Sequence, residues 1–277
     1  MRFSIITPSF RNSNWLKLCI PSVADQGVDL EHIVQDSCSD DGTAEWLPKD
    51  QRVQAFIEKD KGMYDAVNRG LRRARGEILA YLNCDEQYLP GGLAKVSEFF
   101  EKNPGVDLLF GSTVVIGTEG QYLGHRKGIL PGKYHTWANA NLCTLTCSTF
   151  FRRSLLEKHD LYFDSKLKDV GDADWIIRAL TKKVSMAVLP DFTSAFTKTG
   201  ANMNLMPNAR RESVVLANSA PAWARLLRPA LKTGFRLRKF LQGGYSQKPF
   251  SYAIYTANSL EKRVAFQVAR PTQKWPE

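Results

Sequence analysis

Five groups of polar residues in this chain have types and spacing suited to chemistry. Thr7-Pro8-Ser9 closes an apolar run, and Asp36 opens the turn Asp36-Ser-Cys-Ser-Asp-Asp-Gly-Thr43. Asp60-Lys61-Gly62 follows a third extended stretch, Asn83-Cys84-Asp85-Glu86 a fourth, and Asp172 and Asp174 stand two apart much later. Carboxylates such as Asp85 and Glu86 can hold a hard divalent cation through oxygen, shared with the phosphates of a substrate. A carboxylate such as Asp172 or Asp174 can take a proton from an attacking hydroxyl. The usual phosphate loops are absent: there is no GxxxxGK[ST], and no GxGxxG after the first run. A bound nucleotide would therefore have its phosphates neutralised by a metal. Each group alone also reads as plain structure. Asp, Ser and Gly are turn residues, NCDEQY suits the start of a loop, and acidic residues suit the first turn of a helix. The order and placement of the groups together are harder to explain that way.

The elements that must position them alternate. FSIITP at 3–8 is a β-branched run of the buried parallel type. A helix is predicted over 13–26, capped by Asn12 or Ser13 and kinked at Pro21. Strands are predicted at 30–35, 53–58 and 77–83, with a helix at 62–75. A helix over 91–102, begun by Pro90, leads to a strand near 106–116. This alternation predicts an α/β fold, a mostly parallel sheet with helices on both faces, with ligands bound at the carboxyl ends of its strands. Residues 121–140 read as an irregular excursion and 142–151 as a strand. Helices are predicted at 153–159 and 172–182, and a strand at 185–190.

In the helix at 62–75, Ala66 and Gly70 permit close packing, beside an apolar edge of Met63 and Val67. Asp65 and Asn68 either reach a ligand or bond locally. Arg69, Arg72, Arg73 and Arg75 read as a solvated face.

The net charge of +10 is confined to one end. Residues 207–277 carry 13 Lys and Arg against Glu212, Glu261 and Glu277, which leaves residues 1–206 with 25 of each sign. Two parts are expected: a neutral globular domain at 1–206 and a basic helical extension at 207–277. Within the extension, Trp223, Leu226, Leu227, Ala230, Leu231 and Leu237 interleave with Arg225, Arg228, Lys232, Arg236, Arg238 and Lys239 near helical spacing. Pro229 and Gly234 should break or bend that helix, and Gly243-Gly244 should end it. Such a stripe either lies on an anionic membrane surface or packs on the domain. No nucleic-acid-binding motif accompanies the charge. No apolar run is long enough to span a membrane, and the opening residues read as a strand without a leader. The five scattered cysteines suggest free thiols, so a cytoplasmic protein is expected, peripheral to the inner face of the membrane where the stripe lies on it. The four histidines lack metal-ligand spacing.

Over roughly residues 1–200 the chain resembles a family 2 glycosyltransferase with the GT-A fold, of the bacterial polysaccharide type. SIITPSFRNSNWLKLCIPSV resembles the opening strand and helix of that family, and HIVQDSCSDDGT its D-G-S-x-D-x-T turn. EKDKGMYDAVNRGLRRARGEILAYLNCDEQY resembles its central signature. STFFRRSLLEKHDLYFDSKLKDVGDADWIIRAL resembles its acceptor-side segment. The resemblance implies an inverting transfer of a sugar from a nucleotide diphosphate sugar, UDP-linked by default, to a hydroxyl of a saccharide or lipid-linked saccharide. It implies that Thr7, Pro8, Ser9 and Asp36 hold base and ribose, with Asp60 as a further donor-side candidate. Asp85 matches the last Asp of the DxD-type motif that holds Mn or Mg, and Asn83 stands at its first position. Glu86 follows where Asp is frequent. Asp172 matches the general base, with Asp174 as its rival, and Gly171 stands where an acidic residue is often found. Two other classes share some of these features. A nucleotidyltransferase also sets carboxylates and metal at strand ends, and a non-catalytic nucleotide-sugar binder or assembly subunit could dock through the basic tail.

Overall fold

In the computed structural model, residues 2–200 and 207–275 are described. The first run forms β1 (Phe3–Ser9), with all seven residues buried, and α1 (Ser13–Ala24) follows. Then come β2 (Leu30–Asp36), α2 (Thr43–Trp46), β3 (Gln54–Ile57), α3 (Met63–Arg73), β4 (Ile78–Tyr81) and β5 (Glu86–Tyr88). The middle of the chain supplies α4 (Gly92–Lys102), β6 (Leu108–Ile116), β7 (Tyr122–Arg126), α5 (Lys133–Asn139) and β8 (Thr149–Arg152). After α6 (Ser154–His159), α7 (Gly171–Thr181) and β9 (Met186–Thr197) the chain continues as α8 (Pro207–Asn218), α9 (Ala222–Leu226) and α10 (Arg228–Leu241). It closes with β10 (Phe250–Thr256) and β11 (Ser259–Val268).

The main sheet runs β3-β2-β1-β4-β8-β6-β9-β5, with β7 on β6. The strands β3, β2, β1 and β4 are parallel, as is β6 with β9. Antiparallel pairings of β8, β7 and β5 complete the other half. Alternation along β1 sends Ile6 to one face and Phe3 and Ile5 to the other. The first face is covered by Val67 and Leu71 of α3 and Trp175 and Ile176 of α7. The second is covered by Cys19 and Val23 of α1 and Val96 and Phe100 of α4. Gly70 lets α3 approach β1, since a Cβ there would lie 2.5 Å from Ile6 Cγ2.

Several local expectations change. Neither Asn12 nor Ser13 caps α1 with its side chain; the Ser13 N–H donates to Asp41 Oδ2 at 2.8 Å, so the Asp-rich turn caps the helix from across the sheet edge. Residues 142–151 are strand only from Thr149, and the excursion contains β7 and α5. The strand expected at 185–190 runs on to Thr197. The arginines in and just after α3 are not merely solvated. Arg69 bridges Asp65 and Glu58 at 3.0 and 3.3 Å, Arg73 reaches Glu58 at 2.8 Å, and Arg75 reaches the buried Glu31 at 2.9 Å.

The boundary expected at 206 lies on residues 201–206, outside the described residues. Beyond it, Pro229 sits in the first turn of α10, where its missing N–H costs no bond, and Gly234 lies inside α10 without interrupting it. Gly243, at φ 64°, follows the helix end. The extension then turns from helix to the β10–β11 hairpin, which the sequence pattern did not suggest. Tyr252, Ile254 and Val268 of the hairpin pack against Leu89, Val114 and Ala195. Arg263 anchors it with a two-pronged contact to Asp25 at 2.6 and 2.7 Å. Among the described residues no helix is long and apolar enough to cross a membrane.

Candidate active site

A cleft of about 1290 Å³ opens at the carboxyl ends of β1, β3 and β4. Pro8, Ser9, Asp60, Asn83 and Asp85 line it from the strand ends, and Asp172 lines it from the first turn of α7. Four of the five polar groups singled out in the sequence thus reach one cavity. The fifth, at Asp36, contributes only its neighbour Ser37 to the lining.

On the strand side, Ser9 is buried, and its Oγ has no hydrogen-bond partner among the described residues. Asp60 shapes its own loop: Oδ1 accepts from the Gly62 N–H at 2.8 Å, and Gly62, at φ 126°, takes a conformation that suits glycine. Burial raises the Asp85 carboxyl above the usual carboxylate range. Glu86 differs from its neighbour. It is fully buried, Oε2 accepts from the Asn83 N–H at 2.8 Å, and it does not line the cleft. Burial first, then the charge of Asp85, hold Glu86 toward its neutral form. Cys84 packs with Leu16, Ile20 and Val34.

On the helix side, burial raises Asp172 to about 6. Its backbone N–H donates to Tyr64 Oη at 3.1 Å, and its Oδ1 accepts from the Ala173 N–H at 2.7 Å. The ring of Tyr64 explains Gly171, because a Cβ there would lie 2.6 Å from Tyr64 Cε2. Tyr64 stacks on Phe163 at 5.5 Å, and Phe163 stacks on Trp175 of α7 at 5.3 Å. This aromatic column joins α3 to α7 and sets the height of Asp172.

Other candidates are turned elsewhere. Thr7 is buried and bonds His32 Nε2 at 2.9 Å. Asp36 is fully buried, with its two carboxylate oxygens accepting from the Ser39 N–H and Oγ at 2.8 and 2.7 Å. Asp65 accepts from the Lys61 N–H and from Arg69, both at 3.0 Å. Asn68 clamps the backbone of Phe163, donating at 2.8 Å and accepting at 2.9 Å. Asp174 pairs with Arg178 one turn on, at 2.7 Å. None of these five lines the cleft. Each satisfies a nearby donor or acceptor instead, as buried polar groups must.

Several cleft residues stand outside the groups singled out in the sequence. Phe10 and Lys59 adjoin groups already singled out, and Lys59 lies 5.3 Å from the Phe10 ring. Arg126, Arg210, Ser213 and Trp275 carry no local signal. Arg210 and Ser213 belong to α8, so the C-terminal extension forms part of the cleft wall.

Among the described residues, no group of three or more His, Cys, Asp or Glu is placed to hold a metal ion by itself. A cation shared with substrate phosphates needs fewer, and Asp85, desolvated in the cleft, fits that role with Asn83 beside it.

The family model described as Glycosyl transferase family 2 matches residues 4–160. A teichuronic acid biosynthesis glycosyltransferase of Bacillus subtilis, TuaG, is 34% identical over 102 residues, 35% of this chain and 40% of that protein. A PGL/p-HBAD biosynthesis glycosyltransferase of Mycobacterium tuberculosis is 32% identical over 129 residues, 44% of this chain and 50% of that protein. The poly(ribitol-phosphate) beta-N-acetylglucosaminyltransferase TarS of Staphylococcus aureus is 25% identical over 200 residues, 69% of this chain and 34% of that protein. The chain thus spans half or less of the length of these relatives. Among solved structures, TarS 1–349 in complex with UDP-GlcNAc superposes with a TM-score of 0.60 at 20% identity, over 87% of this chain and 73% of that one. That likeness identifies the GT-A fold.

Proposed function

Since this chain belongs to glycosyl transferase family 2, we propose that it transfers a sugar, with inversion, from a UDP-linked donor to a saccharide hydroxyl in polysaccharide or glycolipid synthesis. One observation carries the reading: Asp85 and Asp172, from a strand end and a helix start, line the same cleft. By their names two of the relatives act in teichuronic acid and PGL/p-HBAD biosynthesis, and TarS has been solved with UDP-GlcNAc, which favours a UDP-linked donor.

In this reading Pro8, Ser9 and Asp60 hold the nucleoside end of the donor, and the free Oγ of Ser9 is available to it. Thr7, Asp36, Asp65 and Asn68 act from behind by holding the strand ends and α3 in place. Asp85, with Asn83, would hold Mn or Mg, which supplies positive charge where the leaving diphosphate accumulates negative charge. Asp172 accepts the proton of the acceptor hydroxyl. That oxygen bonds to the anomeric carbon as the bond from this carbon to the diphosphate oxygen breaks. An Asp held near 6 is ionised at neutral pH, yet basic enough to take that proton. Asp174, paired with Arg178 one turn on within α7 and outside the cleft lining, is not the base. Five free cysteines fit a cytoplasmic setting.

The test is thermal-shift screening against UDP, GDP and dTDP with Mn, followed by transfer assays with the matching sugar donors. A ligand at 100 times its dissociation constant stabilises by about 2.7 kcal/mol, which such a screen resolves. Stabilisation by UDP with Mn and release of UDP on transfer are expected. Release of pyrophosphate would mark a nucleotidyltransferase, and binding without turnover a non-catalytic binder; either overturns the reading.

A further inference from the structure

The helices α9 and α10 are seated on α5 by one side only. Leu231 joins a small cluster with Ala138, Ala220 and Ala224. The Phe235 ring stacks on His135 at 4.0 Å, and Arg238 donates to the Leu130 carbonyl at 2.6 Å. Residues 231, 235 and 238 fall on one face of α10 by helical spacing. Elsewhere around the helix, Pro229, Ala230, Thr233, Leu237, Phe240 and Leu241 are all exposed. Leu237, Phe240 and Leu241 are 57%, 67% and 75% exposed, and Leu226 at the end of α9 is 81% exposed. The stripe anticipated from the sequence is therefore split. Its inner residues pack on the domain, and an outer apolar face is left uncovered.

The charge around that face is of one sign. From 219 to 250 there is no Asp or Glu, while Arg225, Arg228, Lys232, Arg236, Arg238, Lys239 and Lys248 are all present. Arg225, Lys232 and Arg236 are exposed beside the apolar face. Uncovered leucine and phenylalanine bordered by unopposed cations match an anionic bilayer surface, where apolar side chains enter the acyl boundary and the cations meet headgroups. A helix of 14 residues, as α10 is, cannot span a bilayer but can lie along it.

We propose that α9 and α10 dock the protein on an anionic lipid bilayer, with Leu226, Leu237, Phe240 and Leu241 inserted and Arg225, Lys232 and Arg236 against the headgroups. α5 links this face to the reaction, because residues 140–146, just after it, line the cleft. A membrane-borne acceptor would thus arrive beside the cleft wall.

The test is co-sedimentation of the full chain with vesicles of phosphatidylcholine alone or mixed with phosphatidylglycerol, at low and high salt. Binding to the mixed vesicles only, released by salt, is expected. The exposed double variants Leu237→Ser/Phe240→Ser and Lys232→Glu/Arg236→Glu should each weaken binding by about tenfold or more. Both should keep the wild-type melting temperature and UDP affinity, which separates this surface from the donor site. Failure to bind anionic vesicles at low salt, equal binding to neutral ones, or double variants that bind as well as the parent would overturn the proposal. So would a self-association abolished by Leu237→Ser/Phe240→Ser, which would assign the face to a second copy of the chain.

Discussion

Ser9, Asp60 and Asp85 enter the cleft from the ends of β1, β3 and β4 in the parallel half of the sheet, whereas Asp172 and Arg210 enter it from the later helices α7 and α8. The strand wall is held by the backbone ladder, in which β1 registers with β2 and β4 residue by residue. A side chain at a strand end is then placed by its own strand and a short loop. The helix wall has no ladder. Its position depends on the Tyr64–Phe163–Trp175 column and on Asn68 clamping Phe163. The strand wall should therefore tolerate loss of a functional side chain without structural cost, while the helix wall should couple function to packing.

The largest effect is expected on the strand wall. Asp85→Ala should abolish transfer and Mn-dependent UDP binding by calorimetry, with the melting temperature little changed; full activity in the presence of a chelator would break the metal assignment. Next, Asp172→Asn should lower turnover about 100-fold or more while donor affinity holds. The wild-type rate should fall as pH drops through about 6, because the base is then protonated. Burial disfavours the charged form of Asp172, so the folded protein carries a penalty at neutral pH that disappears between about 6 and the ordinary 3.8. Asp172→Asn should accordingly melt higher than the parent above pH 6, and the gap should close as pH falls through that window.

Gly171→Ala probes packing alone. With its Cβ 2.6 Å from the Tyr64 ring, it should cost about 1–3 kcal/mol by denaturant unfolding and slow turnover by displacing Asp172. An unchanged stability would show that α7 is not braced by Tyr64. The smallest effect belongs to Asp174→Asn, which removes a helix pair worth about 0.3–0.5 kcal/mol and should leave turnover within about twofold. A collapse of turnover here, with Asp172→Asn nearly intact, would move the base by two residues.

The legibility of the sequence follows the same division. The parallel half was readable because β1 and β4 are buried, largely apolar runs, and each run is followed by a polar group. Asp36 shows the limit. Its position at a strand end was right, but its carboxylate turns inward to Ser39, a choice made by local hydrogen bonds that composition does not reveal. The hairpin at 250–268 went unread because its packing partners, Leu89, Val114 and Ala195, are distant in the chain. Arg126, Arg210 and Trp275 were missed as cleft residues for the same reason.

The sequence by itself determined the alternation of elements, the strand-end polar groups, the family resemblance and the confinement of positive charge to the last quarter of the chain. All of these rest on residues close together in the chain or on simple counts. Tertiary structure alone decided that Asp172 and not Asp174 faces the cleft, that Glu86 braces the loop from within, and that the outer side of α10 stays bare. Burial is the reason. Whether a carboxylate is desolvated or a leucine covered depends on what the rest of the chain brings against it, and that is set by long-range packing.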